Sequence, residues 1–314
     1  MKAKVDMSLF SKIRGVFGRD TQYVTNSRFV SGPTLERLVE AQKESRVLNN
    51  DRLCARAGSV HVYYALEDGY PGYKTSDIQI SSINMLTNIY NPGNCAIDIS
   101  HNAEFTEFTK DQFMLTDVYN TDDNSSLTSL FSINDFSNKL TDISVDNIIF
   151  DSSSKHNLLA GIMLSCKHLV NGGSAVIRFN ALHCRFNVGI VFLLHCMFGE
   201  VSIIKTIACC PHTPELFLVC KDYHGDKKSF LYDYISNVVE QAENTADLTL
   251  VECVAVDLLF QNRFYTFVSE INERIAQEAV DMIISLERMI HNNKFEEGRK
   301  EGLVEQALKD LNLL

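Results

Sequence analysis

Apolar and polar positions switch between two periods along this chain, and the switches mark its elements. In residues 8–18 (SLFSKIRGVFG), Leu9, Phe10, Ile13, Val16 and Phe17 share one helical face, which predicts an amphipathic helix. Pro33 opens a second helix over Thr34–Arg46, closed by Asn49-Asn50. From Ser59 the character changes: SVHVYYA is β-branched and aromatic and predicts a buried strand, and LEDGYPG follows as a turn. Ser76–Tyr90 then predicts a helix, Cys95–Ile99 and Gln112–Val118 short strands, and Asn120–Ser126 a polar loop. Val145–Asp151 (VDNIIFD) is a strand ending in an acid. A helix over His156–Val170 stops at Asn171-Gly172-Gly173. Ser174–Phe179 is a strand and Asn187–Phe198 a helix; Val201–Thr206 and Glu215–Cys220 are two last strands joined by a loop with Pro211 and Pro214. Beyond Ser229 the period is helical throughout: Phe230–Ala242, Leu248–Phe260, Phe264–Ile290, and a charged final helix over Lys294–Leu314.

Strands that alternate with helices predict an α/β fold with a mostly parallel sheet, and the two adjacent last strands predict an antiparallel edge pair. The expected organisation is a basic helical segment at 1–54, an α/β domain at 55–229 and an acidic helical extension at 230–314. No run approaches the roughly 18 uninterrupted apolar residues of a membrane span. Met1–Asp20 lacks the apolar stretch of a signal peptide. Nine cysteines, an odd number, are scattered mostly inside apolar runs. That pattern suits reduced thiols packed as small hydrophobes, and it predicts a reducing compartment, the cytoplasm.

The net charge of −11 argues against a nucleic-acid partner until it is divided along the chain. Residues 231–314 carry 16 acids and 7 bases; the remaining 24 acids and 22 bases nearly balance. A local basic surface is compatible with an acidic protein of this kind. The acidic C-terminal helices are poor candidates for phosphate contact, and they read as packing or as a surface for a protein partner.

Ligands of open parallel sheets bind where the strands end, so those ends hold the candidate chemistry. The turn after the first expected strand offers Asp68, Gly69, Pro71 and Gly72, where glycine lets the backbone approach a ligand. Asp98 ends the second strand, where a carboxylate can accept from ribose hydroxyls; Asp117 ends the third; Asp151 ends the fourth. Zinc is disfavoured, because His183, Cys184, His195, Cys196, Cys209, Cys210 and His212 lack chelating spacings. The phosphate-binding GxxxxGK[ST] loop and the GxSxG elbow are absent.

With these strand ends in order, the chain resembles the RrmJ/FtsJ-like S-adenosylmethionine-dependent RNA 2′-O-methyltransferases, including the viral cap enzymes. ALEDGYPGYKT is similar to the family's Pro-Gly turn, CAIDIS to its ribose-binding acid, MLTDVYN to its adenine-side acid, and VDNIIFDSSS to its Asp-bearing fourth strand. LVNGGSAVIRFN resembles the Gly-Gly-X-hydrophobic-hydrophobic-Lys motif, and MFGEVSIIKTIACCPHTPELFLVCKDY the last two strands. The resemblance covers about residues 55–223.

The resemblance implies a Rossmann-like sheet, S-adenosylmethionine as cofactor, a capped RNA 5′ end as partner, and a site of Asp151, Arg178 and Glu215 with Lys205 nearby. Arg178 stands where the family has the lysine that acts as base, and arginine stays protonated in proteins. The family's site is a Lys-Asp-Lys-Glu tetrad, and its first lysine has no identifiable counterpart here. Three functions follow as expectations: ribose 2′-O methylation of a cap, a scaffold of the same fold that binds RNA or replication proteins without chemistry, and methylation of a cap guanine N7, whose free lone pair has less need of a base.

Overall fold

Val145–Asp151 sends its apolar side chains alternately to two faces, and both faces are covered, which explains its near-continuous apolar sequence. In the computed structural model Ile148 and Phe150 enter one core, with Ile97, Ala175, Ile177, Leu216 and Leu218. Ile149 enters the other, with Ala96, Val176, Phe217 and Val219. The structure describes residues 16–18, 29–51, 53, 57, 61–67, 73–100, 103–120, 127, 129–225, 228–244, 249–260, 262–292 and 299–313.

In chain order the elements are β1 (Val16–Gly18), α1 (Gly32–Glu44), α2 (Val62–Glu67), α3 (Thr75–Thr87), β2 (Cys95–Asp98), α4 (Thr106–Gln112), β3 (Asp117–Asn120), α5 (Leu130–Lys139), β4 (Val145–Asp151) and α6 (Lys155–His168). They continue with β5 (Leu169–Phe179), α7 (Arg185–Met197), β6 (Phe198–Ile204), β7 (Leu216–Tyr223), α8 (Lys228–Glu243), β8 (Thr249–Glu252), α9 (Val256–Leu259), α10 (Asn262–His291) and α11 (Arg299–Asp310). Six strands form one sheet in the order β3-β2-β4-β5-β7-β6. The pairs β2–β3, β2–β4 and β4–β5 are parallel; β7 runs antiparallel to both β5 and β6. This is the mixed α/β architecture with an antiparallel edge pair. Residues of α6, α7, α8 and α10 cover the first face, and residues of α3 with Phe105 and Leu115 cover the second.

Several expected elements are different. Within the expected strand Ser59–Ala65 the described residues from Val62 belong to helix Val62–Glu67, and Ala65 and Leu66 pack against Val304 and Leu308 of α11 and Leu311 just after it. Aromatic and β-branched composition describes a half-buried surface rather than a backbone state, and a helix end supplies that surface here. The first strand of the sheet is therefore Cys95–Asp98. The expected strand Gln112–Val118 begins only at Asp117, because Gln112 ends α4 and Met114 turns through φ 52°. Leu248–Phe260 is not one helix but β8, paired antiparallel with β1, followed by a single turn. That pairing also places Val16–Gly18 in a strand; the rest of the expected helix at 8–18 lies outside the described residues. Asn171-Gly172-Gly173 does not stop a helix. Helix α6 ends at His168, and the glycines lie within β5, where the pairing with β4 shifts register and Gly172 takes φ 82°.

The C-terminal helices close around earlier segments. Val268, Asn272, Ile275, Ala276, Ala279, Val280, Ile283 and Leu286 of α10 are buried at spacings of three and four, and Leu38 of α1 packs into that stripe. The amide of buried Asn272 donates to the carbonyls of Phe29 (3.0 Å) and Leu182 (3.1 Å), so one side chain ties three distant segments. Among the described residues no helix is long and apolar enough to cross a membrane.

Candidate active site

Register decides which side chains meet. Parallel pairing sets Asp98 opposite Asn120 and Ile149, and Asp151 opposite Arg178. Antiparallel pairing sets Leu216 opposite Phe179 and Ile204 opposite Phe217, so Glu215 and Lys205 lie just beyond those pairs. Asp98, Asp151, Arg178, Glu215 and Lys205 therefore stand along one rim of the sheet. Asp117 does not. It opens β3 opposite Cys95, at the other end of the strand, and faces Lys110 at 3.6 Å. The strand starts at Asp117, five residues after the expected Gln112, and Asn120 takes the rim position expected of Asp117. Asp68, Gly69, Pro71 and Gly72 lie outside the described residues; they follow helix α2, not a strand of the sheet.

Asp98 is fully buried and both of its oxygens are engaged. Oδ1 accepts from the Ser100 amide (3.0 Å) and hydroxyl (2.6 Å), and Oδ2 from the Phe105 amide (3.2 Å) and the Thr106 hydroxyl (2.9 Å). Burial raises its pKa against the pull of these hydrogen bonds. Its contacts fasten the loop after β2 to the start of α4 rather than presenting a free acceptor.

Asp151 is 2% exposed. Its Oδ1 accepts from the Ser153 amide (3.0 Å) and from Asn157 Nδ2 (2.9 Å), and its Oδ2 lies 3.5 Å from the Arg178 guanidinium. Asn157 also donates to the Ile99 carbonyl at 3.0 Å, which holds the ends of β2 and β4 together. Arg178 makes its closest contact with the carboxylate of Glu104, and its guanidinium lies 5.9 Å from the centre of the Phe105 ring. The line Asp151–Arg178–Glu104 thus runs from β4 to β5 and back to the loop after β2.

Glu215 and Lys205 organise the neighbouring loop. Glu215 Oε2 accepts from the Cys210 amide (2.6 Å) and Oε1 from Gln79 of α3 (3.4 Å). Lys205 Nζ donates to the carbonyls of Cys210 (3.1 Å), Thr213 (2.7 Å) and Glu215 (3.3 Å). Burial lowers its pKa, while the neighbouring thiols and Glu215 oppose the change. Three carbonyl acceptors match the three donors of an ammonium, so this lysine is a loop clamp rather than a base.

A cavity of about 310 Å³ opens between the loops after β4 and β5; Ser152, Ser154, Lys155, Asn180 and His183 line it. Among the described residues no group of three or more His, Cys, Asp or Glu side chains is placed to hold a metal. Glu104 and Asn157 stand out by no sequence pattern, and with the first strand expected at Ser59–Ala65 the loop after Asp98 falls after the second strand rather than at the crevice. Its signal was Asp98 followed by Thr106-Glu107, a helix start with an acid in its first turn.

No family model matches the chain. The cap-specific mRNA (nucleoside-2′-O-)-methyltransferase 1 of Xenopus laevis is 23% identical over 159 residues, which is 50% of this chain and 19% of that protein. The protein of the same name from Homo sapiens is 24% identical over 160 residues, with the same coverage. The Drosophila melanogaster one is 22% identical over 161 residues. This chain spans about a fifth of the length of these relatives. Among solved structures, an rRNA methylase from Streptococcus thermophilus aligns with a TM-score of 0.31 and 14% identity, over 46% of this chain and 97% of that one. By sequence, over half its length, the chain is a distant relative of RNA methyltransferases.

Proposed function

We propose that this chain methylates RNA on a ribose 2′-hydroxyl, with a capped 5′ end as the acceptor and S-adenosylmethionine as the donor. One observation carries the reading: Asp98, Asp151, Arg178, Lys205 and Glu215 share one sheet rim, in a chain related to cap-specific mRNA 2′-O-methyltransferases. Asp151, oriented by Ser153 and Asn157, is the group that would accept the hydrogen bond of the attacking hydroxyl. Arg178, always protonated, would stabilise the oxygen as its charge grows; it cannot take the proton. The cavity between the loops after β4 and β5 carries hydroxyl, amide and ammonium groups of the kind that contact a sugar-phosphate backbone.

The described residues do not fit S-adenosylmethionine in the arrangement they have. The segment Ile99–Phe105 contains no glycine where backbone would approach the ligand. Asp98 is engaged by four donors, and the side chain of Glu104 crosses to Arg178. The same ion pair favours a second reading, a scaffold of this fold that binds RNA or replication proteins without transferring a methyl group.

Mass analysis of a short capped RNA after incubation with the protein and S-adenosylmethionine separates the two. One added methyl on a ribose, lost in Asp151→Ala, is the expected result; unmodified RNA leaves the scaffold. Methylation that persists in Asp151→Ala removes Asp151 from the site, and a methyl on guanine N7 overturns the choice of acceptor.

A further inference from the structure

Of the features that set the crevice against an adenosyl ligand, one is an ion pair between two side chains that can separate. Strand β2 has β3 on one side and β4 on the other, so the order of the sheet reverses at the carboxyl ends of β2 and β4. Ligands of open α/β sheets enter at such a reversal. Here Glu104, on the loop after β2, reaches Arg178 at the end of β5, and Asp151 of β4 lies between them. The pair therefore spans the mouth of the crevice. The pair is largely sheltered from solvent: the side chains of Glu104 and Arg178 are 29% and 20% exposed, and the guanidinium lies 5.9 Å from the centre of the Phe105 ring. The turn that delivers Glu104 takes φ 47° at Ala103, a left-handed conformation that glycine favours.

We propose that Glu104 and Arg178 form a latch that holds the crevice closed to an adenosyl ligand, and that the ligand binds only when the pair parts. The inference rests on the methyltransferase reading and adds a regulatory residue to it. Arg178 keeps Asp151 as a partner when Glu104 is removed, so loss of the latch leaves no isolated charge.

The test is calorimetric binding of S-adenosylhomocysteine to the full chain and to Glu104→Ala and Glu104→Gln. This probe has a neutral sulfur, so affinity is not confounded by losing a carboxylate that would attract a sulfonium. If the open form is about a tenth of the population, both variants bind about tenfold more tightly than the unaltered chain. Glu104→Gln keeps the side-chain volume and decides the matter if the alanine variant fails to fold. Equal affinity in all three overturns the latch and leaves the methyltransferase reading standing. No binding in any of them at millimolar ligand overturns both. Tighter binding with no methyl on capped RNA supports the latch and sinks the methyltransferase reading alone.

Discussion

A single buried carboxylate, Asp98, sets the shape of the loop that faces the crevice. Its two oxygens accept four hydrogen bonds within eight residues of chain. An asparagine has one acceptor oxygen and would turn its amide hydrogens toward two of those donors. Asp98→Asn is therefore expected to cost about 2–3 kcal/mol, the penalty of buried unsatisfied donors, read as a lower midpoint in urea with an unchanged slope. A cost under about 0.5 kcal/mol would mean that the loop is held by other contacts. Arg178 invites a different substitution. Its planar fork reaches Glu104 and Asp151 together, which a lysine cannot do. Arg178→Lys should lower stability by about 1 kcal/mol while supplying a group able to lose a proton. Any methyl transfer by this variant should then rise with pH along a limb the unaltered chain lacks; identical pH profiles would refute this account of Arg178. Asp151 was legible in the sequence because it closes an apolar run of strand length, and Arg178 only through the resemblance of LVNGGSAVIRFN to a family motif. Glu104 was not, because its role depends on the distance between two strands 80 residues apart in the chain, which no local pattern encodes.

Elements were legible where one local signal agreed with the fold. Helix α1 announces itself through Ser31, which caps Thr34, and Pro33 in its first turn. Its attachment is not written locally. Glu273 of α10 accepts from the Ser31 amide and the Thr34 hydroxyl at one end of α1; Glu287 accepts from Ser45 (2.8 Å) and the Val47 amide (3.0 Å) at the other. Burial raises the pKa of both glutamates, but these hydrogen bonds outweigh it and hold each below its ordinary value. Because the folded pKa is depressed, the stabilisation is full above the ordinary glutamate value and is lost as pH falls through the folded one. Glu287→Gln should cost about 1 kcal/mol near neutral pH, a figure discounted for solvent, and progressively less in acid, as the wild-type carboxyl takes up a proton below its depressed value. An equal cost at both pH values would assign the effect to packing. The crevice loop offers the converse case, a local signal at odds with the fold. Ala103 sits at φ 47°, so Ala103→Gly is expected to gain about 1 kcal/mol by thermal denaturation, the left-handed strain outweighing the added entropy of the unfolded chain. The misread elements share a cause. Ser59–Ala65 and Leu248–Phe260 are short apolar stretches that helix and strand could both bury, and neighbours distant in sequence decided between them.

At the scale of the whole molecule, burial of neutral histidines couples the fold to pH. Tyr64 of α2 shares a hydrogen bond of 2.7 Å with His212 and stacks on its ring, so this helix is joined to the clamp built by Lys205 and Glu215. Burial, and then the charge of Lys205, lower the pKa of His212 to about 4; burial, Lys205 and His212 together do the same for His61. Burial also lowers His168, His183 and His195, and His168 is wedged between the Ser137 hydroxyl (2.7 Å) and the Ile143 carbonyl (3.0 Å). The unfolded chain protonates these rings near pH 6.5 and the folded chain only at lower pH, so the unfolded state binds more protons in between. Stability is therefore complete above pH 6.5 and declines as pH falls from 6.5 toward 4, by about 2 kcal/mol for each of His61 and His212 after allowance for their partial exposure. The depressed glutamates contribute only below their ordinary value near 4.5, so a decline that begins between pH 6 and 5 belongs to the histidines. Thermal midpoints recorded from pH 7.5 to 4.5 should fall, and His212→Gln, which cannot charge, should flatten the curve while lowering its plateau. A parallel displacement with an unchanged slope would show that His212 contributes packing alone and that the proton linkage lies with the other rings.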